Sequence, residues 1–180
     1  MNWFRCILGI FFLATLSCGE KKIETKAQGN LFEPPAGSVE QVTSTFSDGK
    51  SKTAVYLDEN SKVKMAEVEF HPNGQPKIHK KFEQGILNGE SWCYYDDGKP
   101  WSLNSFLNGE YHGVYKTWYP NGQLHQQGNY ENGSPNGEWL SYYENGAMDT
   151  RGEYRNGEKV GVWTSYNMEG KLKREQDFTK

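Results

Sequence analysis

Tyr130-Glu131-Asn132-Gly133-Ser134-Pro135-Asn136-Gly137-Glu138-Trp139 and Tyr154-Arg155-Asn156-Gly157-Glu158-Lys159-Val160-Gly161-Val162-Trp163 lie 24 residues apart and share two glycines and two aromatics in one spacing. The step extends outward. Gly74, Gly98, Gly122, Gly146 and Gly170 form one column, Gly85, Gly109, Gly133 and Gly157 a second, and Gly89, Gly113, Gly137 and Gly161 a third. Rings keep the same period in Phe82, Phe106, Tyr130, Tyr154 and Phe178, and again in Phe70, Tyr94, Trp118, Tyr142 and Tyr166. Self-similarity at a fixed step is the signature of a repeat architecture, in which each unit buries its apolar surface against the next.

The residues inside one unit explain the columns. Each glycine of the first column closes a turn tetrad, as in Tyr119-Pro120-Asn121-Gly122 and Tyr143-Glu144-Asn145-Gly146. Asn-Gly and Asp-Gly favour tight turns because glycine reaches positive φ at no steric cost. The second and third columns are four residues apart and are expected to bracket a second connection, as in Asn108-Gly109-Glu110-Tyr111-His112-Gly113. Short strands then join the turns, for example Val114–Tyr119 and Leu124–Tyr130. The fold class is therefore all-β: an elongated, twisted antiparallel sheet of stacked hairpins with a 24-residue period.

Upstream the register decays. Phe46 still falls 24 residues before Phe70, but the glycines do not follow, so residues 38–69 read as a degenerate first repeat and cap, and 70–180 as the repeats proper. At the far end Lys171, Lys173, Arg174 and Lys180 surround the last strand, where charge deters edge-to-edge pairing.

Residues 1–17 read as a signal peptide: Arg5, an apolar run from Cys6 to Leu16, then Ser17 ahead of Cys18. Eleven apolar residues are about half of the roughly 20 that a membrane-crossing helix needs. Ala14-Thr15-Leu16-Ser17-Cys18-Gly19 resembles the lipobox of bacterial lipoproteins, which implies cleavage before Cys18 and a lipid, palmitate among its acyl chains, on that cysteine. Residues 18–37, polar and containing Pro34-Pro35, are expected to form the lipid-anchored tether. The expected location is the cell envelope after export, and Gly19 next to the lipidated cysteine is compatible with the outer membrane. With Cys6 removed and Cys18 acylated, Cys93 is the one thiol left, so no internal disulfide is expected.

The pattern aromatic, two residues, Gly, three residues, Gly, then an aromatic two places on resembles the MORN repeat in its bacterial variant form, and such chains are similar to the YwqK family of toxin-antitoxin antitoxins. Phe106-Leu107-Asn108-Gly109-Glu110-Tyr111-His112-Gly113 followed by Tyr115 fits as well, whereas the Phe82 unit departs, with Ser91 where the aromatic belongs. The resemblance implies stacked hairpins, a non-enzymatic interaction scaffold and, through the family label, an antitoxin role.

Composition narrows function further. A net charge of -3 argues against a nucleic-acid binder, which needs a basic face. The 6 Trp, 11 Tyr and 9 Phe argue against disorder. His71, His79, His112 and His125 fall at unlike repeat positions with no ligand spacing, so no metal and no cofactor are expected. No nucleophile elbow, phosphate loop or dinucleotide fingerprint is present, and the expectation is no enzyme. Tyr115, Trp139 and Trp163, pointing to the opposite face from Tyr94, Trp118, Tyr142 and Tyr166, are the candidate partner-binding residues. Their partner is expected to be a protein, a second copy of the chain through an edge strand, or a glycan such as peptidoglycan stacked on an open row of rings, with the membrane touched through the lipid alone.

Overall fold

The hairpin turns decide the architecture. At Asn108-Gly109, Asn132-Gly133 and Asn156-Gly157 both residues have positive φ, near 50° for the asparagine and 79–87° for the glycine. That is the type I′ conformation, whose twist matches that of the flanking strands, and Asn-Gly is the pair that adopts it most readily. Each such turn is closed by one residue pair: Leu107 with Glu110, Glu131 with Ser134, Arg155 with Glu158. The tetrads turn differently. The Gly122 amide donates to the Tyr119 carbonyl at 2.8 Å and the Tyr119 amide to the Gln123 carbonyl at 2.8 Å, a type I turn followed by a bulge.

The computed structural model describes residues 32–179; residues 1–17, Cys18 and the first part of the expected tether lie outside them. Thirteen strands run in chain order: β1 (Ser38–Thr45), β2 (Ser51–Asp58), β3 (Lys64–Phe70), β4 (Pro76–Glu83), β5 (Ile86–Tyr94), β6 (Pro100–Leu107), β7 (Glu110–Trp118), β8 (Leu124–Glu131), β9 (Ser134–Pro135), β10 (Gly137–Tyr142), β11 (Met148–Arg155), β12 (Glu158–Tyr166) and β13 (Leu172–Asp177). They form one antiparallel sheet with neighbours in sequence paired throughout; the two-residue β9 pairs with β8, and β10 carries the order onward. The all-β sheet of stacked hairpins expected from the period is what the chain forms.

The third glycine column is a correction to the reading of the sequence. Gly89, Gly113 and Gly161 lie inside β5, β7 and β12 rather than at the end of a loop. There the strand bulges against its predecessor, between Lys80 and Phe82, Asn104 and Phe106, and Arg151 and Glu153. Strands β5, β7 and β12 thus begin right after the two-residue turns and run longer than the spacing predicts.

Hydrogen bonds from each unit to the next lock both sets of turns. At the tetrad edge the Tyr95 hydroxyl donates to the Trp118 carbonyl at 2.8 Å, Tyr119 to that of Tyr142 at 2.9 Å, and Tyr143 to that of Tyr166 at 2.9 Å. Asn73, Asn121 and Asn145 amides reach the carbonyls of Asp96, Glu144 and Met168. At the other edge the amides of Gly109, Gly133 and Gly157 donate to Leu87, Tyr111 and Pro135 carbonyls at 2.8–2.9 Å. Each bond contributes about 1 kcal/mol and, more importantly, fixes the register of one unit on its neighbour.

The most deeply buried cluster lies toward the N-terminal end: Ala54 and Tyr56 of β2 with Ala66 and Val68 of β3. Register carries that face onward in one row from Val68 to His79, Trp92, Leu103, Lys116 and Gln127. Residues 32–37, the described part of the 18–37 segment, contact the same body. Phe32 packs its ring against Tyr56 at 4.9 Å and edge-on against His79 at 4.6 Å. The Glu59 amide donates to the Gly37 carbonyl at 3.0 Å, so residues 32–37 belong to the folded body.

Burial, with Lys81 adding to it, lowers the His79 imidazole from its ordinary 6.5 to about 4. Between those values the unfolded chain binds a proton that the folded chain does not, so stability falls as pH drops through the window. Going from pH 7 to pH 5 is expected to remove roughly 2 kcal/mol through this one group. Urea midpoints at the two pH values measure it. His79→Leu should flatten that part of the pH dependence, and an unchanged slope in the variant would exclude His79 as its origin.

Candidate functional site

The three rings singled out from the sequence do share a face. Tyr115 and Trp139 are stacked, with centroids 5.2 Å apart and planes 20° from parallel. Between them and beyond them stand the rings of the other column. Tyr130 meets Tyr115 and Trp139 edge-on at 5.7 and 5.5 Å, and Tyr154 meets Trp139 and Trp163 edge-on at 5.6 and 5.0 Å. Phe106 and Tyr111 continue the series at 4.6 and 5.1 Å toward Tyr130. Each contact of this kind adds about 0.5–1.5 kcal/mol beyond the area it covers.

What lies beneath the indoles explains their posture. A Cβ on Gly128 would stand 2.1 Å from the Trp139 ring, and one on Gly152 would stand 2.1 Å from the Trp163 ring. Neither glycine has positive φ; both are buried mid-strand positions where the backbone is left bare so that an indole from the next strand lies across it. These two residues also lie 24 apart, in a column with Lys80, Asn104 and Gln176. The three glycine columns read from the sequence leave them out, and the signal that would find them is the pairing of a strand glycine with a tryptophan eleven residues on.

The chain supplies cations at both ends of this ring face. The Lys159 ammonium sits 4.1 Å from the Trp163 ring, and that of Lys64 sits 3.9 Å from Phe82. Lys64 and Lys80 both bond Glu67, at 3.0 and 3.1 Å; burial alone would raise that carboxyl, but the two ammonium groups outweigh it and hold it low. Burial among the rings raises Tyr115 and Tyr130, so both phenols are neutral donors at ordinary pH. Tyr115, Trp139 and Trp163 are half-buried rather than free plates. Among the described residues the most exposed tryptophan is Trp101, at 51%, where β6 bulges against β5, and the sequence reading did not single it out.

The opposite face of the same strands is more polar. Arg151 pairs with Glu138 at 3.0 Å across it, beside Leu140. A hollow of about 850 Å³ lies at the C-terminal side and is lined by residues including Glu153, Arg155, Lys159, Asp177 and Phe178. Among the described residues no three His, Cys, Asp or Glu side chains are grouped to hold a metal ion, and no helix is long and apolar enough to cross a membrane. Cys18 lies outside the described residues.

Strand β13 leaves its outer side unpaired among the described residues and is exposed along its length. Two-fold antiparallel pairing of β13 with itself, centred on any residue from Lys173 to Asp177, sets like charges opposite each other: Lys173 on Lys173, Arg174 on Arg174, Glu175 on Glu175 or on Asp177, or Asp177 on Asp177. Centred on Arg174 the same pairing also sets Lys173 opposite Glu175 twice, so these charges select among registers.

Residues 111–132 and 135–156 match the family model described as MORN repeat variant, which supports reading the 24-residue unit as a MORN-type repeat. No curated protein matches the chain. Among solved structures, crystal structures of TarM and of a mutant of S. aureus TarM in complex with fondaparinux, alpha-GlcNAc-glycerol and UDP are each similar over 69% of this chain, at 16% identity and a TM-score of 0.28. The chain spans 21% of the length of those chains, and a likeness at that score carries no weight for fold or function.

The glycine-indole pairs yield a test of the ring face as structure. Gly128→Ala is expected to destabilise by roughly 1–3 kcal/mol, because the indole has to move off the strand. In a Trp139→Ala background the same substitution should cost nothing or stabilise slightly, giving a coupling measurable from denaturant midpoints. Additive effects would show that the indole does not rest on this glycine.

Proposed function

We propose that this chain is a non-enzymatic scaffold, held at the cell envelope by a lipid on Cys18, whose rigid sheet presents its faces to a protein partner. The observation that carries the reading is architectural. The repeats build broad faces braced from unit to unit at both sets of turns, which suits display of side chains over a long surface better than enclosure of a small reactant. The MORN-type repeat supports the scaffold part, Met1–Ser17 ahead of Cys18 supports the anchor, and Gly19 beside that cysteine is compatible with an outer-membrane destination.

A glycan stacked on Tyr115, Trp139 and Trp163 is the second reading, favoured by the continuity of the ring series. The indoles' inner faces are spent on glycine backbone and the tyrosines meet them edge-on, so the rings first serve the fold.

Growth with a labelled fatty acid should mark the wild-type chain and leave Cys18→Ala unmarked; no label on the wild type removes the anchor, and equal labelling of both removes Cys18 as its site. Affinity capture from solubilised envelopes should retain a polypeptide in stoichiometric amount. Cell-wall sugar in its place would favour the second reading, particularly if Trp139→Ala and Trp163→Ala remain folded and lose it.

A further inference from the structure

The repeats provide an internal control for asking which exposed residues the fold does not need. The type I′ hairpins are closed by the pairs Glu83–Ile86, Leu107–Glu110, Glu131–Ser134 and Arg155–Glu158. The last two are fully polar and close the same turn, so nothing in the turn calls for an apolar side chain. Yet Ile86 is 51% exposed and Leu107 45% exposed. Each stands in a column otherwise occupied by polar residues: Glu110, Ser134 and Glu158 for Ile86, and Glu83, Glu131 and Arg155 for Leu107.

The two apolar residues are neighbours. Gly89 pairs with Phe106, so the next step outward sets Asn88 beside Leu107, and the bond from the Gly109 amide to the Leu87 carbonyl sets Ile86 beside the following turn. Ile86 and Leu107 are then diagonal partners on one face, the face of Trp92 and Leu103, opposite the ring series. Val114, 40% exposed, lies on the same face of β7. In strand order the closing residues read Glu83, Ile86, Leu107, Glu110, Glu131: an apolar pair flanked by exposed carboxylates, with no cation in the row before Arg155. Glu83 accepts a hydrogen bond from the Asn88 side-chain amide, neither it nor Glu110 is in an ion pair among the described residues, and Lys81 and Lys116 lie further inward on that face.

We infer that this end of the β4–β8 face is the docking surface of the scaffold, and that its occupant is a partner-protein segment carrying apolar side chains for Ile86, Leu107 and Val114 with Lys or Arg placed to meet Glu83 and Glu110. The inference rests on the scaffold reading and names where and with what chemistry the partner binds. Apolar contact at the centre of a rim of complementary charge is the usual anatomy of a specific interface.

Photo-crosslinking in cells, with a benzophenone amino acid in place of Ile86, Leu107, Trp163 or Asn145, tests it on the full-length chain. The expected result is adducts from positions 86 and 107 to one polypeptide, mapped to a segment that is both apolar and basic. A synthetic peptide of that segment should bind the purified chain, and Ile86→Ser with Leu107→Ser should weaken it about tenfold or more. Glu83→Lys with Glu110→Lys should weaken it similarly, with binding regained when the peptide's basic residues are changed to Glu. Circular dichroism confirms that these surface variants remain folded. Adducts from 86 and 107 to lipid, or to an acidic or uncharged segment, overturn the proposal. Adducts from Trp163 or Asn145 alone overturn it while leaving the scaffold reading standing, and no protein adduct from any position removes both.

Discussion

A single sheet has no second layer to bury against, and the protein meets that constraint by laying rings over bare backbone. Trp139 covers Gly128, Trp163 covers Gly152, and upright tyrosines wedge between the indoles. The large side chain of one strand thereby takes up the space that the missing side chain of its neighbour leaves, which is how a sheet one residue thick acquires a packed surface. Cross-strand contacts replace a core for most of the chain, and a conventional buried cluster occurs toward the N-terminal end, around Ala54, Ala66 and Val68.

Two kinds of glycine column serve this plan in different ways. The Asn-Gly turns reverse the chain in two residues and keep adjacent strands close, while the bulge glycines let β5, β7 and β12 deviate locally from their predecessors. Side-chain and backbone bonds at the turns then tie each unit to the next, so register is fixed at both margins of the sheet and the rings in the middle have little choice of partner.

Period and turn chemistry were legible in the sequence because both depend on local residue identity: Asn-Gly dictates its own geometry, and 24-residue columns need no tertiary knowledge. The bulges were not, because Gly113 in a strand and Gly113 at a loop end look the same until the partner strand is known. Gly128 and Gly152 escaped for the opposite reason, since their role lies in the space above them and not in their own dihedral angles. The contacts of Phe32 were not legible because its partners Tyr56 and His79 are distant in sequence. The opposing faces of Tyr115 and Trp118 followed from strand alternation, but the degree to which each ring is covered depends on residues that alternation does not specify.

The same inter-unit bonds recur at a 24-residue step, so one whole unit meets its neighbours through the same kinds of donor and acceptor as the next. A gene encoding such a chain is free to gain or lose 72 bases at a time without disturbing a junction, provided the strands that begin and end the array are spared. The length of the sheet becomes a quantity that evolution adjusts by copying rather than by redesign.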